Sequence, residues 1–133
     1  MRLLLDTHVW IWSQESPEQL GATARRHLED PSNKLIVSAV SFLELAQLAH
    51  KKRICLKRTL GAWSRSAVEN LGAQVSVITP DIALGAYELP APFHSDPADR
   101  ILVATAIHEQ LTLLTADERI LAYPGVRCLS AQA

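Results

Sequence analysis

The sequence lacks the features that mark secreted, membrane-spanning or strongly charged proteins. Its 133 residues include only two cysteines, Cys55 and Cys128, and no CxxC motif, so a disulfide framework is not expected. The first residues do not form a signal peptide, and no apolar stretch approaches the ~20 residues that span a bilayer. These absences predict a cytoplasmic protein that does not enter membranes. Because the net charge is only −1, any surface that attracts nucleic acid must be a local basic patch.

Strand-like and helix-like segments alternate along the chain. Apolar or β-branched runs predict five short strands, at residues 3–5, 35–37, 75–78, 111–114 and 126–129. Between them, the apolar spacing and the capping residues predict helices at residues 22–30, 39–51, 59–71, 80–88 and 97–110, and a further helix begins near His8. This alternation is typical of a single α/β domain, here residues 1–133, in which helices cover both faces of a parallel sheet.

Acidic residues follow the predicted strands at one end of the sheet. Asp6 and Asp117 come after the first and fourth strands, and Asp96 and Asp99 lie in the first turn of a helix. Glu44 lies within the apolar helix that follows the second strand, where it could also mark the solvent-facing side. An aspartate at a helix start is usually only a cap. Because ligands bind beyond the carboxyl ends of parallel strands, however, all five acids can reach one site.

Clustered carboxylates repel one another unless their pKa values rise or a cation neutralises them. Oxygen ligands favour Mg²⁺ or Mn²⁺ over Zn²⁺, and the histidines have no spacing typical of zinc ligands. Among them we single out only His94, because it is close to Asp96. Such a site is suited to phosphodiester hydrolysis, in which a carboxylate that does not bind metal accepts a proton from the attacking water.

Four segments of the sequence resemble the signature segments of PIN-domain proteins, in the same order. They read LLLDTHVWIW, VSAVSFLELAQL, HSDPADRILVATAI and LLTADERI, and the similarity is strongest to the VapC-type toxins of toxin–antitoxin pairs. The resemblance implies a central sheet of strand order 3-2-1-4-5 and a metal-dependent endoribonuclease that cleaves RNA. It also implies a homodimer and inhibition by a small VapB-type antitoxin.

The resemblance also assigns roles to individual residues. The acidic quartet would be Asp6, Glu44, Asp99 and Asp117, and the metal ligands would come from Asp6, Asp96, Asp99 and Asp117, with Asp96 alternatively serving only as a helix cap. Thr7, Thr115 and Arg100 occupy positions that support the site. Where close relatives carry a tryptophan before the glutamate, this chain has Phe42 and Leu43, which we interpret as substitutes in packing.

Basic residues are concentrated after the third predicted helix. They are Lys51, Lys52, Arg53, Lys57 and Arg58, which we call the basic segment. An acidic site needs cations around it to hold RNA, so the basic segment is a candidate for phosphate contacts. It could equally be a solvated helix end, where cations are favoured by the helix dipole.

Other interpretations of the same residues remain. A metal-dependent phosphatase could use Asp6 as a nucleophile, but such enzymes carry a second aspartate where this chain has His8. A catalytically inactive interaction module is also conceivable, although an acid cluster without a function destabilises a fold. Trp10 and Trp12 could stack on bases, but core packing explains them better because they lie on different faces of a helix.

Overall fold

Five parallel strands form the centre of the molecule. The computed structural model describes residues 1–133, and the strands lie in the order β3-β2-β1-β4-β5. They are β1 (Arg2–Leu5), β2 (Lys34–Ser38), β3 (Gln74–Ser76), β4 (Thr112–Thr115) and β5 (Cys128–Ser130). Every neighbouring pair is parallel. The predicted fold class and strand order are therefore confirmed.

Helices cover both faces of this sheet. They are α1 (Thr7–Glu15), α2 (Ala22–Glu29), α3 (Ala39–His50), α4 (Leu60–Leu71), α5 (Pro80–Gly85), α6 (Pro97–His108) and α7 (Glu118–Leu121), with a 3₁₀ turn at Pro17–Gln19. The central strand β1 is buried on both sides: Leu3 and Leu5 face one apolar core, and Leu4 faces the other. This explains why β1 reads as a continuous apolar run without alternation. No helix has the length and apolar character needed to cross a membrane.

The first core is built around Trp10 on α1. This side chain is fully buried, and its ring centroid lies 5.0 Å from that of Phe42 and 5.3 Å from that of Trp63. Trp12 is only partly buried and packs against the edge of the same core. Phe42 therefore fills core space as expected. Leu43 does not: it is 57% exposed, so its interpretation as a packing substitute is wrong.

Strand ends differ from the predicted ones where the neighbouring strand offers no residue to pair with. The third strand was expected at residues 75–78, but β3 pairs only with β2 and stops at Ser76, opposite Ser38, where β2 itself ends. Val77 and Ile78 lie beyond the pairing and are exposed. Likewise β5 begins at Cys128, opposite Leu113, rather than at residue 126. Apolar runs predict a strand, and the neighbouring strand decides its length.

The strand register aligns the starts of several helices at one edge of the sheet. Leu5 pairs with Val37 on one side and with Leu114 on the other, so the residues that follow these strands lie side by side. Asp6 caps α1 and Ser38 caps α3 at this edge. The carboxyl edge of the sheet therefore presents helix starts from consecutive strand–helix units, which is where ligands bind in parallel sheets.

Two glycines, one inside α4 and one at its end, offer a matched test of where this helix ends. Gly72 ends α4 with a φ of +61°, whereas Gly61 lies inside the helix, and a Cβ at either would meet no atom within 4 Å. Gly72→Ala should lower the free energy of unfolding by about 1 kcal/mol because alanine is strained at positive φ. Gly61→Ala should raise it by about 0.5 kcal/mol. Urea denaturation measures both, and equal signs would contradict this assignment of the helix end.

Candidate active site

Asp6 is held in place by its neighbours at the end of β1. Its side chain is 8% exposed, and one carboxylate oxygen accepts a hydrogen bond of 2.7 Å from the Thr7 N–H. The other oxygen accepts one of 2.6 Å from the Thr115 hydroxyl, which in turn accepts one of 3.0 Å from the Asp117 N–H. Burial raises the pKa of Asp6 above its ordinary value, although the Thr115 and Thr7 hydrogen bonds oppose the rise.

Glu44 reaches the same place from α3. The Thr7 hydroxyl donates a short hydrogen bond to the Glu44 carboxylate and lies 2.8 Å from the Ser41 hydroxyl. Burial raises the pKa of Glu44 from 4.5 to about 7, and the negative charges of Asp6 and Asp99 add to the rise. Glu44 is therefore not on the solvent side of its helix. Its pKa lies where a carboxyl group can both bind and release a proton near neutral pH.

The two aspartates at the start of α6 have different environments. Asp96 is exposed, and its side chain accepts hydrogen bonds from the Ala98 and Asp99 N–H groups at 2.9 and 3.3 Å, as an N-cap does. Asp99 is only 8% exposed, and its carboxylate lies 2.7 Å from Nε2 of His94. Burial raises the pKa of Asp99, and the charges of the other acids add to this effect. Asp96 lies at the rim, and Asp99 lies inside the cluster.

Asp117 faces an arginine. Its carboxylate lies 3.2 Å from Nη2 of Arg119 and also caps α7. Burial acts to raise the pKa of Asp117, but the hydrogen bonds and positive charge of Arg119 outweigh it and hold that pKa below its ordinary value. The same guanidinium lies 3.8 Å from the Asp99 carboxylate. Arg119 therefore offsets part of the negative charge of the cluster, with its side chain still 62% exposed.

The donor atoms fit a hard divalent cation. Ligand atoms of His94, Asp99 and Asp117 lie within 4.8 Å of one another, and Asp6 is close enough for its charge to act on Asp99 and Asp117. Burial is the main cause of the raised pKa values of Asp6 and Asp99, and the negative charges of neighbouring acids add to it. A cation bound among them would relieve this repulsion, and oxygen donors select Mg²⁺ or Mn²⁺.

Sequence reasoning singled out most, but not all, of these side chains. His94 attracted attention only for its position beside Asp96, and its contact is with Asp99 instead. Arg119 and Ser41 were not anticipated. Arg119 follows Asp117 by two residues within the short α7, and this closeness was the available signal. Ser41 precedes Glu44 by three residues on α3, which places both on one helix face.

Arg100 and the basic segment lie outside the acid cluster. Arg100 donates hydrogen bonds of 3.1 Å to the backbone carbonyls of Ala86 and Phe93, and its guanidinium lies 5.0 Å from the centre of the Tyr87 ring. It therefore ties the segment that carries His94 to α6. The charged residues of the basic segment are exposed after the end of α3. Arg53 lines the same surface hollow as His8 at the start of α1.

Comparison with known proteins places this geometry in a family. The sequence model of the PIN domain matches residues 3–126. Ribonuclease VapC22 of Mycobacterium tuberculosis is 38% identical over 118 residues, a match that covers 89% of this chain and 88% of the relative.

Solved structures with the same fold come from other bacteria. A VapBC2 complex from Rickettsia felis, bound to a promoter DNA fragment, has a TM-score of 0.67 at 16% identity and covers 98% of both chains. A toxin–antitoxin complex from Klebsiella pneumoniae has a TM-score of 0.66 at 23% identity and covers 96% of this chain and 95% of that one. At these identities the structures establish the fold alone. The family model and the M. tuberculosis relative show that the chain belongs to the PIN-domain family, as a VapC-type member.

Proposed function

We propose that this chain is a metal-dependent endoribonuclease that hydrolyses phosphodiester bonds of RNA. The observation that carries the proposal is the convergence of Asp6, Glu44, Asp99 and Asp117 at one edge of the sheet, where their charges act on one another. Similarity to a relative named as a ribonuclease supports RNA as the substrate. We also propose that residues 1–133 act as one unit in the cytoplasm, where reducing conditions keep both cysteines free.

The carboxylates of Asp6, Asp99 and Asp117 would hold the cation, and Asp96 at the rim would assist through its charge. We assign Mg²⁺ as the physiological ion, with Mn²⁺ as a substitute, because both prefer oxygen ligands. When bound, such an ion supplies Lewis-acid chemistry: it polarises a phosphate oxygen and favours deprotonation of water. The Thr115 hydroxyl keeps the Asp6 carboxylate in position by donating a hydrogen bond to it, and the Thr7 hydroxyl does the same for Glu44.

Glu44 is the residue we assign as the proton acceptor. Its carboxylate is oriented by the Thr7 hydroxyl, and its pKa of about 7 allows it to take a proton from the attacking water and release it after cleavage. Arg119 extends from the cluster into solvent and can pair with a phosphate group. His94 holds the buried Asp99 carboxylate through their hydrogen bond.

A phosphatase that uses Asp6 as its nucleophile finds less support. Both Asp6 oxygens accept hydrogen bonds, from Thr7 and Thr115, and the side chain is 8% exposed. A nucleophile must approach phosphorus closely, which this environment hinders. His8, at the position of the second phosphatase aspartate, is exposed and packs beside Trp12.

We infer two protein partners for the enzyme. Two structures of the same fold are described as a VapBC complex and a toxin–antitoxin complex, which supports a small VapB-type antitoxin as the inhibitor. The second partner is another copy of the same chain, which would form a homodimer. Val77, Leu84 and Ile107 are large apolar side chains that are exposed, and contact with a second copy would bury such surface.

Replacement of Asp6 tests the cleavage activity. Asp6→Asn keeps the shape and the hydrogen-bond acceptor for Thr7 but removes the charge, so RNA cleavage should fall at least about 100-fold. Wild-type cleavage should require Mg²⁺ or Mn²⁺ and stop in EDTA. Purified protein is incubated with total cellular RNA, and the cut sites are mapped. Asp81→Asn, at an exposed acid of α5, is the matched control. Full activity of Asp6→Asn in Mg²⁺ would refute the proposal.

The raised pKa of Glu44 predicts how stability depends on pH in the metal-free protein. Between pH 4.5 and about 7 the folded chain keeps a proton on Glu44 that the unfolded chain has released, so rising pH lowers the free energy of unfolding. A glutamine at this position cannot ionise. The free energy of unfolding of the Glu44→Gln variant should therefore fall by about 1–2 kcal/mol less over this pH range than that of the wild type, after allowance for solvent screening. Urea denaturation from pH 4.5 to 8, with Glu69→Gln as the control, measures the difference. Parallel profiles for wild type and Glu44→Gln would contradict the assignment.

Charge removal tests whether the basic segment binds phosphates. The triple variant Lys51→Gln, Lys52→Gln and Arg53→Gln should weaken RNA binding and reduce the slope of log affinity against log salt by about 2. The matched triple variant Arg25→Gln, Arg26→Gln and Lys34→Gln removes the same charge from exposed residues on α2 and at the start of β2. It should leave the slope nearly unchanged. Equal slopes for wild type and the first variant would exclude these phosphate contacts.

A further inference from the structure

We propose that a base next to the cleaved phosphate stacks in an apolar cavity beside the acid cluster. We call this cavity the aromatic slot. Its walls are formed by Pro92, Phe93, Ala122, Tyr123 and Pro124. The inference rests on the proposed ribonuclease function and adds to it a binding site for one nucleotide of the substrate.

The slot and the acid cluster share two side chains. His94 and Arg119 line the slot, and the same two residues contact the acids: His94 lies 2.7 Å from the Asp99 carboxylate, and Arg119 lies 3.2 Å from that of Asp117. A ligand in the slot therefore lies one side chain away from the carboxylates. An RNA strand with a phosphate at the acids would bring an adjacent base to this opening. The positive charge of Arg119 between the two sites suits the phosphate of that nucleotide.

The walls of the slot are suited to a flat aromatic group. Phe93 packs edge-on to Tyr123, with ring centroids 4.9 Å apart, and stacks on His94 at 4.4 Å. The guanidinium of Arg119 adds a further planar group at the opening, and its side chain is 62% exposed. Bases stack on aromatic rings and on guanidinium planes. The cavity volume of about 440 Å³ lies within the range of ligand sites, roughly 300–1,000 Å³.

The slot contains few free hydrogen-bonding groups. The Tyr123 hydroxyl already donates to the backbone carbonyl of Pro90 at 2.8 Å, and the other wall residues are alanine, proline and phenylalanine. The side chains of these wall residues therefore offer no free hydrogen bond to a base edge, and only His94 and Arg119 at the opening carry such groups. Stacking tolerates every base but strengthens with ring area, so the slot should accept all four bases and favour purines.

Removal of the base provides the direct test. In a short RNA that wild type cleaves, each nucleotide beside the cut is replaced in turn by an abasic one. At one of the two positions, kcat/KM should fall by about 10-fold or more. Ala122→Trp fills the slot from an exposed position. It should lower cleavage of the intact RNA by a similar factor, and the effects of Ala122→Trp and of the abasic nucleotide should not add when the two are combined. Ala83→Trp, an exposed alanine on α5, is the matched control.

A spectroscopic measurement tests base stacking in the slot without relying on cleavage or on the Ala122→Trp variant. The fluorescent base 2-aminopurine, placed at the sensitive position, should lose fluorescence through stacking when the RNA binds Asp6→Asn protein. Absence of quenching at both positions beside the cut would overturn the slot as a base site. So would equal cleavage of intact and abasic RNA by wild type, the result expected if the slot instead receives an apolar side chain of a protein partner. If wild type does not cleave intact RNA, the proposed ribonuclease function itself fails.

Discussion

The burial of neighbouring carboxylates at the carboxyl edge of the sheet is the constraint to which the surrounding side chains respond. Asp6 and Asp99 are nearly buried, and burial raises the pKa values of both groups. Polar neighbours limit the cost: Thr115 donates a hydrogen bond to Asp6, His94 contacts Asp99, and Arg119 lies near two of the acids. These contacts hold the acids in a geometry that simple repulsion would open.

The well-packed centre of the sheet stabilises this cluster of buried acids. β1 is covered by apolar side chains on both faces, and the fully buried Trp10 anchors α1, the helix that Asp6 caps. Thr7 then joins two elements, because its N–H contacts the Asp6 carboxylate and its hydroxyl contacts Glu44 on α3. Acid positions are therefore fixed by backbone elements and not by flexible loops, which is how a preorganised site avoids rearrangement during a reaction.

Local sequence patterns predicted the alternation of strands and helices and the acids that follow the strands, because both depend on short-range signals. The strand order and the choice of the acidic quartet came from the family resemblance. A buried strand that ends in Asp6, and a proline after the Asp96 cap, can be recognised from neighbouring residues alone. Contacts across the fold could not be anticipated in this way. The exposure of Leu43 depends on the direction of α3, the end of β3 depends on β2, and the approach of Arg119 to Asp99 depends on how α7 meets α6. These features are set by tertiary packing, which periodicity does not encode.

The position of β1 in the sheet has a consequence for synthesis of the protein. Thr115, whose hydroxyl donates a hydrogen bond to Asp6, is synthesised 109 residues after it. At roughly 5–20 residues per second, translation separates the two by about 5 to 20 s. During that interval a nascent chain carries Asp6 without β4 beside it and without Asp117. The acid cluster can therefore form only after β4 and Asp117 have been made, and a product that ends before β4 lacks both the hydrogen bond to Asp6 and the Asp117 carboxylate.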